Sequence, residues 1–224
     1  MSDMRGTLTG SDLARIRQGC YRVLAAGFSR PSQVQADQIQ AGLALLEDLG
    51  LGMFSFTASL RRWESALVDA DPTAVSGEYV RLFGSGMDGA LCPPIESQQL
   101  GVNLVGDAAR HAGRIEDLMR RAGFETQLDD RPPDHLVVEL ELASALCAEE
   151  AKGRADGDTG REWLERQMEL VAVLASWVPR FAATVGERDR TGVYSALGEA
   201  TAAFVLHEND LVRMLIEAAG GEEE

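Results

Sequence analysis

Cysteine is scarce in this chain: Cys20, Cys92 and Cys147 are three cysteines among 224 residues, widely spaced and without a C-x-x-C pair. An odd, scattered set excludes a disulfide scaffold and a zinc knuckle, and it fits a reducing compartment. Long apolar runs are also missing. The most apolar window, residues 170–178, is about half the length that a bilayer span needs. The first twenty residues have no apolar core behind a basic start, so neither a signal peptide nor a membrane anchor is expected. Positive charge is in short supply as well: 21 Lys and Arg stand against 36 Asp and Glu, for a formal charge of -15. Such a surface repels phosphate backbones and anionic headgroups, and no basic run offsets it, so neither nucleic-acid binding nor membrane insertion is expected. A cytoplasmic location follows by elimination. The excess acid can serve as a solubilising surface, and it can also steer a cationic partner segment toward the chain.

The usual catalytic signatures are missing too. No G-x-S-x-G elbow occurs, and Cys92 has no base beside it in the sequence. Gly84, Gly86 and Gly89 satisfy a G-x-G-x-x-G spacing. A phosphate-binding turn, however, joins a strand to a helix, whereas this one follows a helical pattern, runs into Cys92-Pro93-Pro94 and lacks a Walker lysine. Glu139 and Glu141 are two apart on a helix and point in different directions, which makes them a poor acid/base pair. Asp134, His135 and Glu139 lie within about one helical turn of each other and could share a proton or hold a metal. His111 and His207 offer no spacing that would complete such a metal site. The other reading of the trio is a helix start, with Asp134 on the backbone dipole and His135 packed and hydrogen-bonded. No catalytic residue, metal or cofactor is expected.

What the chain has in quantity is helical periodicity. With 45% hydrophobic and 25% charged residues it has a globular composition, and a domain of this size can bury roughly 70% of its extended surface. Ser11 and Asp12 can cap a helix carrying Leu13, Ile16, Cys20, Val23 and Leu24, and Ser32 a second carrying Ile39, Leu43, Leu46 and Leu49. A third is expected over 58–67 and a fourth from Pro72 or Thr73 through Phe83. Residues 84–94 form a loop with a stiff Pro93-Pro94 end. Helix resumes near Ser97, a plausible N-cap, and Leu100, Leu104, Ala108, His111, Ile115, Leu118 and Ala122 recur at intervals of three or four. A polar connection over 124–133 leads to a helix with Leu136, Leu140, Ala143 and Cys147 on one face. Residues 151–160 have a linker composition.

The last third repeats the pattern. Trp163, Leu164, Met168, Val171, Leu174, Val178 and Phe181 form one face, with Pro179 kinking it or marking its last turns. Val193, Leu197, Thr201, Phe204 and Val205 form the next, and Leu211, Met214, Leu215 and Ala218 a short last helix. No run of alternating residues argues for a sheet. The expected fold is all-α, a single domain over 11–220 with about eight or nine helices, a flexible start at 1–10 and an acidic tail at 221–224.

Two segments are familiar. Residues 79–97, YVRLFGSGMDGALCPPIES, resemble the Y-x-x-L-F, glycine, proline, serine segment of the TorD/DmsD/NarJ type of redox-enzyme maturation chaperone. Residues 132–141, PPDHLVVELE, resemble that family's proline-x-aspartate-histidine helix start and Glu-Leu-Glu run, and Trp177, Pro179 and Phe181 stand as its W-x-P-x-F. The resemblance implies a non-enzymatic, all-helical, cytoplasmic chaperone. Such a protein binds the apo catalytic subunit of a molybdopterin oxidoreductase, often its twin-arginine signal peptide, until the cofactor is inserted. The Cys-Pro-Pro-Ile-Glu-Ser version looks most like chaperones serving the dimethyl sulfoxide reductase superfamily.

Carried over residue by residue, the family's signature loop falls on Tyr79, Leu82, Phe83, Gly84, Pro93, Glu96 and Ser97, and its helix start on Asp134, His135 and Glu139. The chain departs from the family at Leu142-Ala143 and at Met168-Glu169. A receptor for a twin-arginine leader needs acidic groups beside an apolar groove. Glu96, Asp134 and Glu139 are expected to supply the acid and Tyr79, Phe83 and Leu136 the apolar lining, with His135 at the helix start. Gly84, Gly86, Pro93, Pro94 and Ser97 are expected to shape the loop. Two rival roles are a structural or regulatory subunit of a redox complex and a helical nucleotide hydrolase.

Overall fold

A computed structural model describes residues 8–84, 89–101, 105–124 and 131–220. Their helices are α1 (Gly10–Gly27), α2 (Gln33–Asp48), α3 (Thr57–Asp69), α4 (Pro72–Phe83), α5 (Glu96–Gln99), α6 (Val105–Arg121), α7 (Leu136–Ala155), α8 (Arg161–Arg188) and α9 (Val193–Gly220), with a 3-10 turn at Leu51–Met53. Among the described residues no strand forms beyond a single two-residue bridge between Ile95 and His135. The expected all-α fold is therefore what the chain adopts.

Local chemistry sets the helix ends. Thr9, rather than Ser11, caps α1: its hydroxyl accepts from Asp12 N at 3.1 Å while the Asp12 carboxylate accepts from Thr9 N, a reciprocal capping box. Ser11 is thereby freed to donate its hydroxyl to the Ala151 carbonyl of α7 at 2.9 Å. Ser32 caps α2 as expected, and Asp71 caps α4 with Pro72 in the first turn. Residues 151–155, read from composition as linker, continue α7, and the turn to α8 is confined to 156–160. Pro179 lies within α8, which continues to Arg188.

Two departures from the expected helices have clear causes. The period running from Leu100 to Ala122 is broken after Gln99, because Gly101 adopts a positive φ of 70° that closes the short α5. Leu104 lies outside the described residues. The two helices expected at the C-terminus are one, α9. No glycine or proline falls between Val205 and Leu211, and the polar stretch there turns Glu208 inward.

The core follows from the pairing of the long helices: α1 packs along α7, α8 along α9, and α7 against α8, with α3 on α9 and α2 on α1. Leu140, Leu146, Val171, Leu174, Trp177, Val178, Phe181 and Phe204 are fully buried in one continuous cluster, each contributing ~1.5–3 kcal/mol of apolar transfer. α8 is long and apolar enough to cross a bilayer by length and composition alone, but its apolar stripe is spent on α7 and α9. Where α1, α3 and α9 meet, Gly27 is required for close approach, since a Cβ there would stand 2.7 Å from the Trp63 indole and 2.8 Å from Leu197.

A buried polar network crosses this core. Arg17 of α1 donates from Nε to both carboxylate oxygens of Glu208 on α9 at 3.0 Å and from Nη1 to Glu150 of α7 at 2.7 Å. It also donates to Gln167 of α8. Arg154 completes the set by donating to Glu150 at 2.8 Å. Burial opposes the charge of Arg17, but Glu208 and Glu150 overcome it and hold the guanidinium protonated. Four helices are thus tied at one point by groups that would be costly to bury singly.

Candidate functional site

The two proline-ended interruptions of the helical pattern come together. Gly84 ends α4, and a Cβ on it would lie 2.4 Å from the Val80 carbonyl oxygen, so only glycine fits the turn. Gly86 lies outside the described residues. The chain returns with Cys92 N donating to Leu82 O at 2.8 Å, then passes through partly buried Pro93 and buried Pro94. There it meets the segment before α7: Leu136 N donates to Pro94 O at 2.8 Å and Glu96 N to Asp134 O at 2.9 Å. This short antiparallel pairing aligns Ile95 with His135.

The side chains at this junction act as caps. Ser97, expected to be an N-cap, instead donates its backbone N–H to the Asp134 carboxylate at 3.2 Å, so Asp134 caps α5 from across the junction. The His135 imidazole accepts from Val137 N at 3.1 Å through Nδ1 and caps α7. Each cap satisfies a donor that the helix cannot pair by itself.

Beneath the caps lie the carboxyl groups. Glu96 is 1% exposed and is held by His111 Nδ1 at 2.8 Å and Arg114 Nη2 at 2.6 Å, both from α6. Glu139 is fully buried, and neither of its oxygens makes a hydrogen bond of ordinary geometry, although the Trp177 indole N–H lies close enough to favour its charged form slightly. Burial first, then the nearby Glu96 and Asp134, push the Glu139 carboxyl well above the ordinary carboxylate range, partly offset by Arg114. Glu96, Asp134 and Glu139 thus lie together beside His111 and Arg114.

The aromatic pair sits to one side. Phe83 packs edge-on to Tyr194 at 5.2 Å and Phe28 at 5.9 Å between ring centroids, within the core. Tyr79 lies against Phe83 at 5.5 Å and keeps part of its ring at the surface. Burial raises its phenol, with Arg131 and Arg30 opposing.

Of the seven residues singled out from the sequence, Glu96, Asp134, Leu136 and Glu139 are buried, and Tyr79, Phe83 and His135 are partly buried. The pairing brings Glu96, Asp134, His135 and Glu139 together. The loop and α7 are zipped to each other rather than parted by a groove, and Leu136 is wholly internal. Sequence reasoning placed His111 in the helical period without a role at this site and did not single out Arg114; both act here because α6 lies beside Glu96. Among the described residues no group of His, Cys, Asp and Glu is placed to hold a metal.

An all-helical chain with a buried acidic junction under two proline turns defines a class that comparison with known proteins identifies. Residues 53–183 match the family model described as nitrate reductase delta subunit. The chain is 32% identical over 158 residues to the selenate reductase assembly chaperone protein of Thauera selenatis, covering 65% of this chain and 75% of that protein. It is 36% identical over 101 residues to the chaperone protein TorD of Escherichia coli O81 (strain ED1a), covering 42% of this chain and 47% of TorD. The chain thus spans about half the length of that TorD relative. The crystal structure of a putative redox enzyme maturation protein from Archaeoglobus fulgidus shares the fold, with a TM-score of 0.53 at 20% identity over 95% of this chain and 99% of that one. The chain belongs to the TorD/DmsD/NarJ-type family of redox-enzyme maturation chaperones.

Proposed function

We propose that this chain is a non-catalytic cytoplasmic chaperone that binds the apo catalytic subunit of a molybdopterin oxidoreductase, or its twin-arginine signal peptide, during cofactor insertion and before export. Family membership supports the chaperone role, and the acidic junction supports the choice of a cationic client. The observation that carries the client reading is Glu139, buried and unpaired beside Glu96 and Asp134. A client guanidinium admitted to this junction would find there a carboxyl group that the chain leaves without an ion-pair partner.

The test is titration of the purified chain with the N-terminal peptide of a molybdoenzyme catalytic subunit encoded beside it, against a twin-lysine control. Tighter binding of the arginine peptide is expected, because a planar guanidinium engages carboxylates in pairs. Asp134→Asn and Glu139→Gln should weaken that binding while the helical circular dichroism signal stays unchanged. These isosteres suit the buried positions better than charge reversal, which would place an unpaired cation in the core. Absence of binding to both the peptide and the apo subunit overturns the proposal.

The description of the matching family model as a delta subunit favours one second reading, a subunit that stays in the mature complex. Co-purification with cofactor-loaded enzyme would support it, and release before loading would exclude it.

A further inference from the structure

A groove of about 400 Å³ runs between α1 and α2, on surface that the acidic junction does not use. The two helices are antiparallel and close. A Cβ on Gly19 would stand 2.7 Å from Leu46, and one on Gly42 would stand 2.6 Å from Val23, so the glycines set the depth of the cleft. Its two walls differ in chemistry. On α1, Arg15, Gly19, Arg22 and Ala26 recur at intervals of four, three and four, and the adjoining cleft continues to Arg30. On α2, Gln38, Ala41, Leu45 and Leu49 recur in the same way. Leu45 is 59% exposed, and Val34, one turn before Gln38 on the same stripe, is 67% exposed.

The charge on the α1 wall is opposite to that of the molecule. In a chain of net charge -15, this wall gathers three arginines that are barely neutralised. Arg15 reaches only Asp12, at 3.9 Å, while Arg22 and Arg30 are exposed and form no ion pair among the described residues. The adjoining cleft has a single lining carboxylate, Glu141. An apolar wall facing a cationic wall is complementary to a segment with leucine-like residues on one side and carboxylates on the other. The stripe from Gln38 to Leu49 spans ~17 Å, enough for about three turns of helix.

We infer that the α1–α2 groove is a docking site for an acidic amphipathic peptide segment of a partner protein. It is separate from the junction proposed for a twin-arginine client and selects the opposite charge.

The probe is a synthetic amidated helix of about 14 residues, ~21 Å long, with leucine at helical spacing and glutamate elsewhere, titrated calorimetrically against the full chain. A counterpart with lysine in place of glutamate is the control. The acidic peptide should bind at least ~10-fold more tightly than the lysine peptide and weaken ~10-fold as salt screens the arginines. Arg15→Glu with Arg22→Glu, and separately Leu45→Asp, should each lower its affinity ~10-fold or more with the melting temperature unchanged, since all three side chains are exposed. Twin-arginine peptide binding should be indifferent to these changes, which keeps the two proposals separable. Equal binding of both probes, or no binding of the acidic one, overturns the inference. So does a dimer in sedimentation velocity that Leu45→Asp disperses without peptide, because the groove would then belong to a second copy of the chain.

Discussion

Replacing Arg17 by methionine is the sharpest test of how the four long helices are held. The substitution preserves most of the aliphatic volume but strips both Glu208 oxygens of their 3.0 Å donor, and takes one donor from Glu150 and one from Gln167. Glu150 retains Arg154 and the Gln167 amide, so the damage concentrates on Glu208, which is 0% exposed. Removing one partner of a buried ion pair costs about 3–5 kcal/mol. For a domain of this size each kcal/mol is worth roughly 2–4 °C, so the midpoint should fall by about 6–20 °C. A second variant, Arg17→Met with Glu208→Leu, removes the stranded charge and should regain most of the loss, because an apolar pair of similar volume is often neutral. Thermal unfolding followed by circular dichroism, with urea titration for the free energy, reads both. A loss under about 1 kcal/mol for Arg17→Met, or a double variant no more stable than the single one, would refute the keystone assignment.

Other outcomes follow from the junction. Glu139 has its proton affinity raised by burial, so the folded state binds a proton that the unfolded state releases. Its neutral form costs little below the unfolded carboxylate pKa, and stability is lost as pH rises above it, by at most about 1.4 kcal/mol per pH unit. Glu139→Gln should therefore match the parent near pH 4 and gain on it toward pH 8 in thermal melts; a flat difference contradicts the neutral-acid assignment. Gly84→Ala forces a Cβ to within 2.4 Å of a backbone oxygen and should cost about 1–3 kcal/mol in urea unfolding. His135→Ala removes the cap of α7 and should cost about 1 kcal/mol, read in the same assay. Cys20, Cys92 and Cys147 are all buried free thiols, so a thiol reagent should label them only as fast as the chain opens, and labelling at the rate of an exposed thiol would contradict that burial.

Much of the fold was legible because it rests on local rules. Pro72 after Asp71 marks the start of α4 within the sequence itself, and the face of Leu136, Leu140, Ala143 and Cys147 is wholly buried on α7. What escaped was decided at a distance. Nothing near Ser97 reveals that its backbone N–H is capped by Asp134, 37 residues away. The turn of Glu208 toward Arg17 spans 191 positions, and it is what makes a polar stretch continue α9 rather than end it. The motif residues were picked out by composition and resemblance, yet their burial was hidden, because a carboxylate in a helix start reads the same whether solvent or a proline loop covers it. His111 and Arg114 were hidden for the converse reason: their role exists only once α6 lies beside Glu96.

The two buried polar clusters of this chain are built on opposite balances, and that contrast bears on which one the proposed client would engage. Around Arg17, two guanidiniums meet two carboxylates, each oxygen of Glu208 and Glu150 is engaged, and Gln167 bridges what remains. The carboxylates of that cluster are fully engaged, with the Tyr21 hydroxyl also buried beside Glu208, and its work is to fix the packing of α1, α7, α8 and α9. Around Glu96 the count does not close. Glu96 takes His111 and Arg114 of α6, Asp134 is spent on α5, and Glu139 is left with no donor of ordinary hydrogen-bond geometry beyond a nearby tryptophan N–H. A buried carboxyl in that state costs stability wherever it ionises, and a fold selected for stability alone would have a leucine or glutamine there. Its presence in the segment that resembles the family's helix start is what the proposed client guanidinium would account for, by supplying the missing partner from outside. The decisive comparison is Glu139→Leu: a gain in melting temperature together with loss of twin-arginine peptide binding would show stability being held back for recognition, whereas a gain with binding intact would make Glu139 a bystander.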